Sequence, residues 1–364
     1  MKQLSHALIL IFCAVLCTFS ISVLAEEAAA QAPQDWIDQY SELEPNSVTA
    51  IRARFPDIPD NWSTDALVKA VQNGLLNGTD GYLLPGERLT RAQLATVMVR
   101  AFGASEQADV SEFTDLSADK WYYADMARAV KMDIFRGDGT GVIRPDDSIT
   151  RQEVFTVISR AFNITGADAS VLDTFADAEL VADWAKDATA SLVAQGYITG
   201  ADGSLNPKNP ITRAEFAQIM KNLVDAYITE AGVYTTVPAG NIVIRASGVV
   251  FNDVTFGGNV YIGEGVGESI TLSNVTSPYR MVIRGGTGAV LTGSYENIAI
   301  VCAGLTVNAS GAQVKDSSSV SGSVLLTSGS QAVGADWGTA GSDDGTGVVT
   351  PDDQDGDGWI DGWY

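Results

Sequence analysis

Histidine and cysteine are nearly missing from this chain, with one His and three Cys in 364 residues. His6, Cys13 and Cys17 all fall within residues 1–25. That stretch reads as a secretory signal: Lys2 supplies a positive end, Ala7 to Leu24 is almost unbroken apolar, and Val23-Leu24-Ala25 precedes Glu26 as a small-residue cleavage site. Its length lies near the lower limit for a membrane span, so an uncleaved anchor is the alternative, and cleavage is the preferred reading. Without residues 1–25 the chain has no His, and Cys302 is its single Cys. A His-based triad, a zinc site of the usual ligands and an internal disulfide are then excluded, so stability must come from packing. Basic residues are scarce as well, 22 against 45 acidic ones, for a net charge of −23. Such a field repels nucleic acid and anionic lipid, excluding both as partners, and makes each Arg a local exception.

What is present is a threefold internal repeat. Phe55, Phe113 and Phe175 open copies beginning FPDIPDNW, FTDLSADKW and FADAELVADW. An acid follows two positions on, at Asp57, Asp115 and Asp177, and then Trp62, Trp121 or Trp184. Apolar residues of helical period come next, as at Ala66, Leu67, Ala70 and Val71. Gly and Asp break that helix, in NGTDG from Asn77, RGDG from Arg136 and TGADG from Thr199. Thr90, Thr150 and Thr212 then start a second helix, with Gln93, Glu153 or Glu215 three residues later completing a capping box. Each copy is therefore predicted to be helix, glycine turn, capped helix.

Arg91, Arg151 and Arg213 directly follow the caps. There, free backbone N–H groups and the positive helix end are expected to favour an anion. For one isolated copy, a solvated Arg paired with a neighbouring acid is the plainer reading. Three copies favour binding.

The order F-x-D, W, glycine turn, [IL]-T-R-x-[EQ], in triplicate from Phe55 to Asp225, resembles the S-layer homology domain. The resemblance implies a pseudo-threefold all-α assembly with the capped helices at its centre and grooves between copies; the short β-branched, helix-free stretches after Asp225 call for an all-β domain, so the expected class is an α+β multidomain chain. The resemblance also implies non-covalent anchoring of a secreted protein to the cell wall through pyruvylated secondary cell-wall polysaccharide. A pyruvyl ketal carries a carboxylate, which Arg91, Arg151 and Arg213 would hold bidentately. Trp62, Trp121 and Trp184 would stack on sugar rings, with burial as core residues the competing role for each. Asp57, Asp115 and Asp177 are weaker ligand candidates. Two departures stand out. Gln93 replaces the family's Glu, a mild change because Gln still closes a capping box. Asp133 stands where the siblings have Gly74 and Gly196, and is expected to alter the shape of one groove.

The organisation expected is signal 1–25, leader 26–54, repeats 55–103, 113–163 and 175–225, a β domain 237–330 and an acidic tail 331–364. In the β domain NIVI, NVYI, RMVI and NIAI begin at 241, 259, 280 and 297. That uneven rhythm fits the coils of a parallel β-helix better than a sandwich, which stays open as the alternative. Its Asp253, Glu264, Glu268, Glu296 and Asp316 and its bases Arg245, Arg280, Arg284 and Lys315 are scattered, and no carboxylate pair is nominated for glycoside chemistry. Asn274-Val275-Thr276 and Asn308-Ala309-Ser310 match glycosylation acceptors. In the tail, Asp353, Asp355, Asp357 and Asp361 fall at positions 1, 3, 5 and 9 of an EF-hand-like loop with Gly358 at 6. This piece resembles the calcium repeats of thrombospondin type 3. Position 12 is Tyr364 instead of Glu, so calcium would be held weakly; a solvated acidic tail is the alternative, and no cofactor is required. The expectation is a non-enzymatic, wall-attached surface protein. A glycan-active enzyme on the same anchor and an S-layer lattice subunit are the competing readings.

Overall fold

The structure is a computed structural model that describes residues 46–267 and 269–327. The signal, most of the leader, Glu268, and the tail with Asp353, Asp355, Asp357 and Asp361 lie outside the described residues. Two compact units divide after Pro56. In the first, the Ser47 side chain caps helix α1, Val48–Arg54, accepting from the Ala50 N–H.

In the second, each repeat is a helix, a turn and a capped helix. The first helices are α2 (Thr64–Gln72), α4 (Tyr123–Lys131) and α6 (Asp183–Ala194); the capped ones are α3 (Arg91–Phe102), α5 (Arg151–Phe162) and α7 (Arg213–Leu223). The boxes form as expected, with Gln93, Glu153 and Glu215 accepting the N–H of Thr90, Thr150 and Thr212. Leu94, Val97, Met98 and Ala101, one face of α3, are buried.

Three backbone bonds close a ring among the repeats. Leu89 N donates to Ile211 O, Ile211 N to Ile149 O, and Ile149 N to Leu89 O, at 3.0, 3.1 and 3.0 Å. All three side chains are fully buried, so the pseudo-threefold axis is sealed by apolar contact as well as by hydrogen bonds.

Asp133 leaves its turn unchanged, contrary to expectation. Its φ of 58° matches Gly74 at 64° and Gly196 at 74°, because Asp tolerates the left-handed region, and its carboxylate is held by Arg136.

The β domain is an all-parallel solenoid. Along one face Ala226, Ile242, Val260, Met281, Ile298 and Ser317 stack in successive rungs. β1 (Ala226–Ile228) and β2 (Gly232–Tyr234) precede the expected start at 237, because Asp225 bonds Asn241 through both backbone and carboxylate and seats the chain on the first rung directly after α7. Later rungs run through β3 (Ile242–Ile244), β4 (Val249–Asn252), β5 (Val260–Ile262), β6 (Ile270–Ile283), β7 (Val290–Ile300), β8 (Thr306–Ser319) and β9 (Val324–Thr327). Inward Val, Ile, Leu and Phe fill the interior, as the β-branched strands require.

One outer face is dry too. Val243, Tyr261, Val282 and Ala299 alternate with the core residues yet are at most 2 % exposed. The helical repeats cover them: Tyr261 meets the Phe162 ring edge-on at 4.8 Å, and Phe162 meets Phe102 at 4.9 Å. A Cβ on Gly263 would lie 2.5 Å from the Phe102 carbonyl, so only glycine permits the approach. The bases that look scattered in sequence converge here. Arg245 donates to Arg100 O and Asn73 O, Arg280 to Asn163 O, and Arg284 to Arg160 O, Ala161 O and Met132 O. Asn241 donates to Leu223 O. The orphan carbonyls ending α3, α5 and α7 are thus capped by the solenoid, with positive charge at the negative helix ends for α3 and α5. No helix among the described residues is long and apolar enough to cross a membrane.

Candidate functional site

The helix N-termini are not free. Arg91 N, Arg151 N and Arg213 N donate to Asp147 O, Asn209 O and Glu87 O, and the next residue of each helix donates to Pro145 O, Pro207 O or Pro85 O. Each helix start is therefore satisfied by the next repeat in the ring. An anion held here must be held by side chains, which corrects the expectation of open backbone donors.

Asp57, Asp115 and Asp177 are committed to backbone. Asp57 accepts from Leu83 N and Leu84 N at 2.9 and 2.7 Å, Asp115 from Ile143 N and Arg144 N, and Asp177 from Leu205 N and Asn206 N. In each case the second residue has positive φ, at Leu84, Arg144 and Asn206, so the carboxylate fixes an unfavourable turn. The first residue of each loop offers its carbonyl to an Arg. Arg213 Nε donates to Leu83 O, Arg91 Nε to Ile143 O, and Arg151 Nε to Leu205 O, at 2.7–2.8 Å.

The remaining guanidinium nitrogens distinguish the copies. Arg91 Nη1 pairs with Glu153 at 3.0 Å, both groups buried, and Arg151 Nη1 pairs with Glu215 at 2.9 Å. Each pair links one repeat's Arg to the box acid of the next. The position that would serve Arg213 is Gln93. Arg213 Nη2 instead donates to Asn77 O at 3.2 Å, and no carboxylate lies within ion-pair distance among the described residues. Burial lowers the Arg213 pKa, Asp57 opposes this, and Arg100 adds to the lowering. For Arg151, burial lowers and the Glu215 and Asp177 charges raise.

Two of these arginines open into cavities that draw on all three repeats. One, of about 390 Å³, is lined by Arg213, Gln93, Arg100, Asn77 and Trp121. The other, of about 560 Å³, is lined by Arg151, Glu215, Tyr197, Lys221 and Trp62. Trp62 and Trp121 are 61 % and 64 % exposed, which removes the core role for both. Trp184 sits inside α6, not ahead of its helix as its siblings do, and is half-buried, while Arg91 and Glu153 are both buried. The structure thus places an Arg with an exposed Trp in two grooves. Arg100 escapes motif reading because it lies nine residues beyond the Thr-Arg signal; its recurrence as Arg160 is the only sequence cue.

Residues 54–95, 112–155 and 174–217 match the S-layer homology domain. The exoglucanase XynX of Acetivibrio thermocellus is 31 % identical over 186 residues, 50 % of this chain and 17 % of that protein. The surface-layer 125 kDa protein of Lysinibacillus sphaericus is 29 % identical over 60 % of this chain and 17 % of its own length. The S-layer protein sap of Bacillus anthracis is 30 % identical over 50 % of this chain and 23 % of its own. The chain thus spans less than a quarter of each relative. The chain carries three tandem S-layer homology domains, the mark of a secreted protein anchored at the cell surface, followed by a parallel β-solenoid.

Proposed function

We propose that the three domains hold the chain on the cell wall by binding an acidic, pyruvylated secondary polysaccharide. The observation that carries this is the pairing, in two cavities, of an Arg from one repeat with an exposed Trp from another. The guanidinium takes the ketal carboxylate and the indole takes a sugar face, so charge and shape are read together. A net charge of −23 would repel an anionic polymer elsewhere and direct it to these grooves. The solenoid is proposed as a non-enzymatic outward surface. Three of its acids are individually engaged: Glu264 with Arg284, Glu296 with Lys315, and Asp253 with Asn274.

The test is co-sedimentation of the protein with cell-wall sacculi before and after removal of the pyruvylated polymer, comparing Arg213→Ala, Trp121→Ala and Trp62→Ala. Binding should need the polymer and fall in each variant. Equal binding to stripped sacculi would overturn the reading.

A further inference from the structure

We infer that the three grooves are unequal by construction, and that Gln93 makes the Arg213 groove the principal site for a carboxylate-bearing sugar. The inference rests on the wall-polymer reading and names the residue that sets which groove works. In the other two copies a box Glu already occupies the guanidinium, as Glu153 does Arg91 and Glu215 does Arg151. A ligand carboxylate entering there must displace an intramolecular one. In the first copy the box residue is neutral: Gln93 still caps Thr90 through its Oε1, and its amide nitrogen makes no hydrogen bond among the described residues.

The lining of this groove has the matching charge. No acidic residue contributes to it, and it contains both Arg213 and Arg100. Arg100 uses one nitrogen on Leu75 O. The nearby acids are spent, Asp57 on Leu83 N and Leu84 N, and Asp125 on Thr96 and Arg128. Two cations without a carboxylate between them, in a chain with twice as many acids as bases, form a site suited to an anion. The exposed Trp121 completes it with an apolar face, and about 390 Å³ accommodates one substituted sugar ring.

The latch can be installed and removed by one atom exchange. The probe is a methyl hexoside carrying a pyruvyl ketal, against the same hexoside without the ketal, titrated calorimetrically into the full chain, with sacculi binding measured in parallel. Gln93→Glu restores the box acid used by both siblings and should weaken ketal binding by about tenfold or more by giving Arg213 an internal partner. Glu215→Gln makes the converse change and should strengthen ketal binding in the Arg151 groove, by freeing its guanidinium. Thermal unfolding checks that both variants remain folded. Ketal binding by Gln93→Glu within about twofold of the unmodified chain would overturn the inference while leaving wall binding intact. If the unmodified chain binds sacculi but prefers the hexoside without its ketal, the inference falls through its ligand; if it binds neither, the wall-polymer reading falls with it.

Discussion

Two residue types that look alike in the repeat, Arg after the cap and Asp after the Phe, have different fates. The Asp is consumed by two backbone N–H groups and fixes a left-handed turn, whereas the Arg reaches into a groove. Bonds from amides to a charged acceptor contribute more than neutral ones. Asp115→Ala should therefore cost about 2–3 kcal/mol of stability in urea denaturation, with the slope unchanged. Wall binding of the folded fraction should persist. Loss of binding with stability intact would instead make the carboxylate a ligand group.

At the scale of elements, the seam between helices and solenoid depends on a buried ion pair and helix caps. Arg284 and Glu264 have side chains 4 % and 16 % exposed, 2.7 Å apart, and burial raises the Glu264 pKa against the opposing pull of Arg284. Removing one partner strands the other charge. Arg284→Met should destabilise by about 3–5 kcal/mol, and adding Glu264→Leu should recover a large part of that. The part not recovered reports the carbonyls of Met132, Arg160 and Ala161, which lose their donor. Full additivity of the two losses, measured by chemical denaturation, would mean the pair is not coupled.

For the molecule as a whole, ring closure and the shared seam remove any independent folding unit within residues 57–327. Each repeat completes the helix start of its neighbour, and the solenoid completes the helix ends. Calorimetry of the full chain should show helical and β parts melting in one transition, followed at both helical and strand circular-dichroism signals. Two separated transitions would show that the dry outer face of the solenoid, Val243, Tyr261, Val282 and Ala299, contributes little to stability.

Local signals alone determined the capping boxes, the helix, turn and capped helix of each repeat, and the β character of the region that follows. A capping box, a glycine turn and a β-branched run are short-range physics, complete within a few residues. Tertiary structure decided which partner each polar group meets. Gln93 reads as a mild substitution because Gln caps as Glu does; its effect appears only where Arg213, 120 residues away, finds no carboxylate. Asp133 reads as a disturbance, yet the backbone accepts it in the left-handed region unchanged. Arg245, Arg280 and Arg284 read as scattered because the carbonyls they cap lie on helices more than a hundred residues earlier. Side-chain charge is written in the sequence, but its pairing is set by the packing of repeats around an axis and against a solenoid, and no local pattern encodes that.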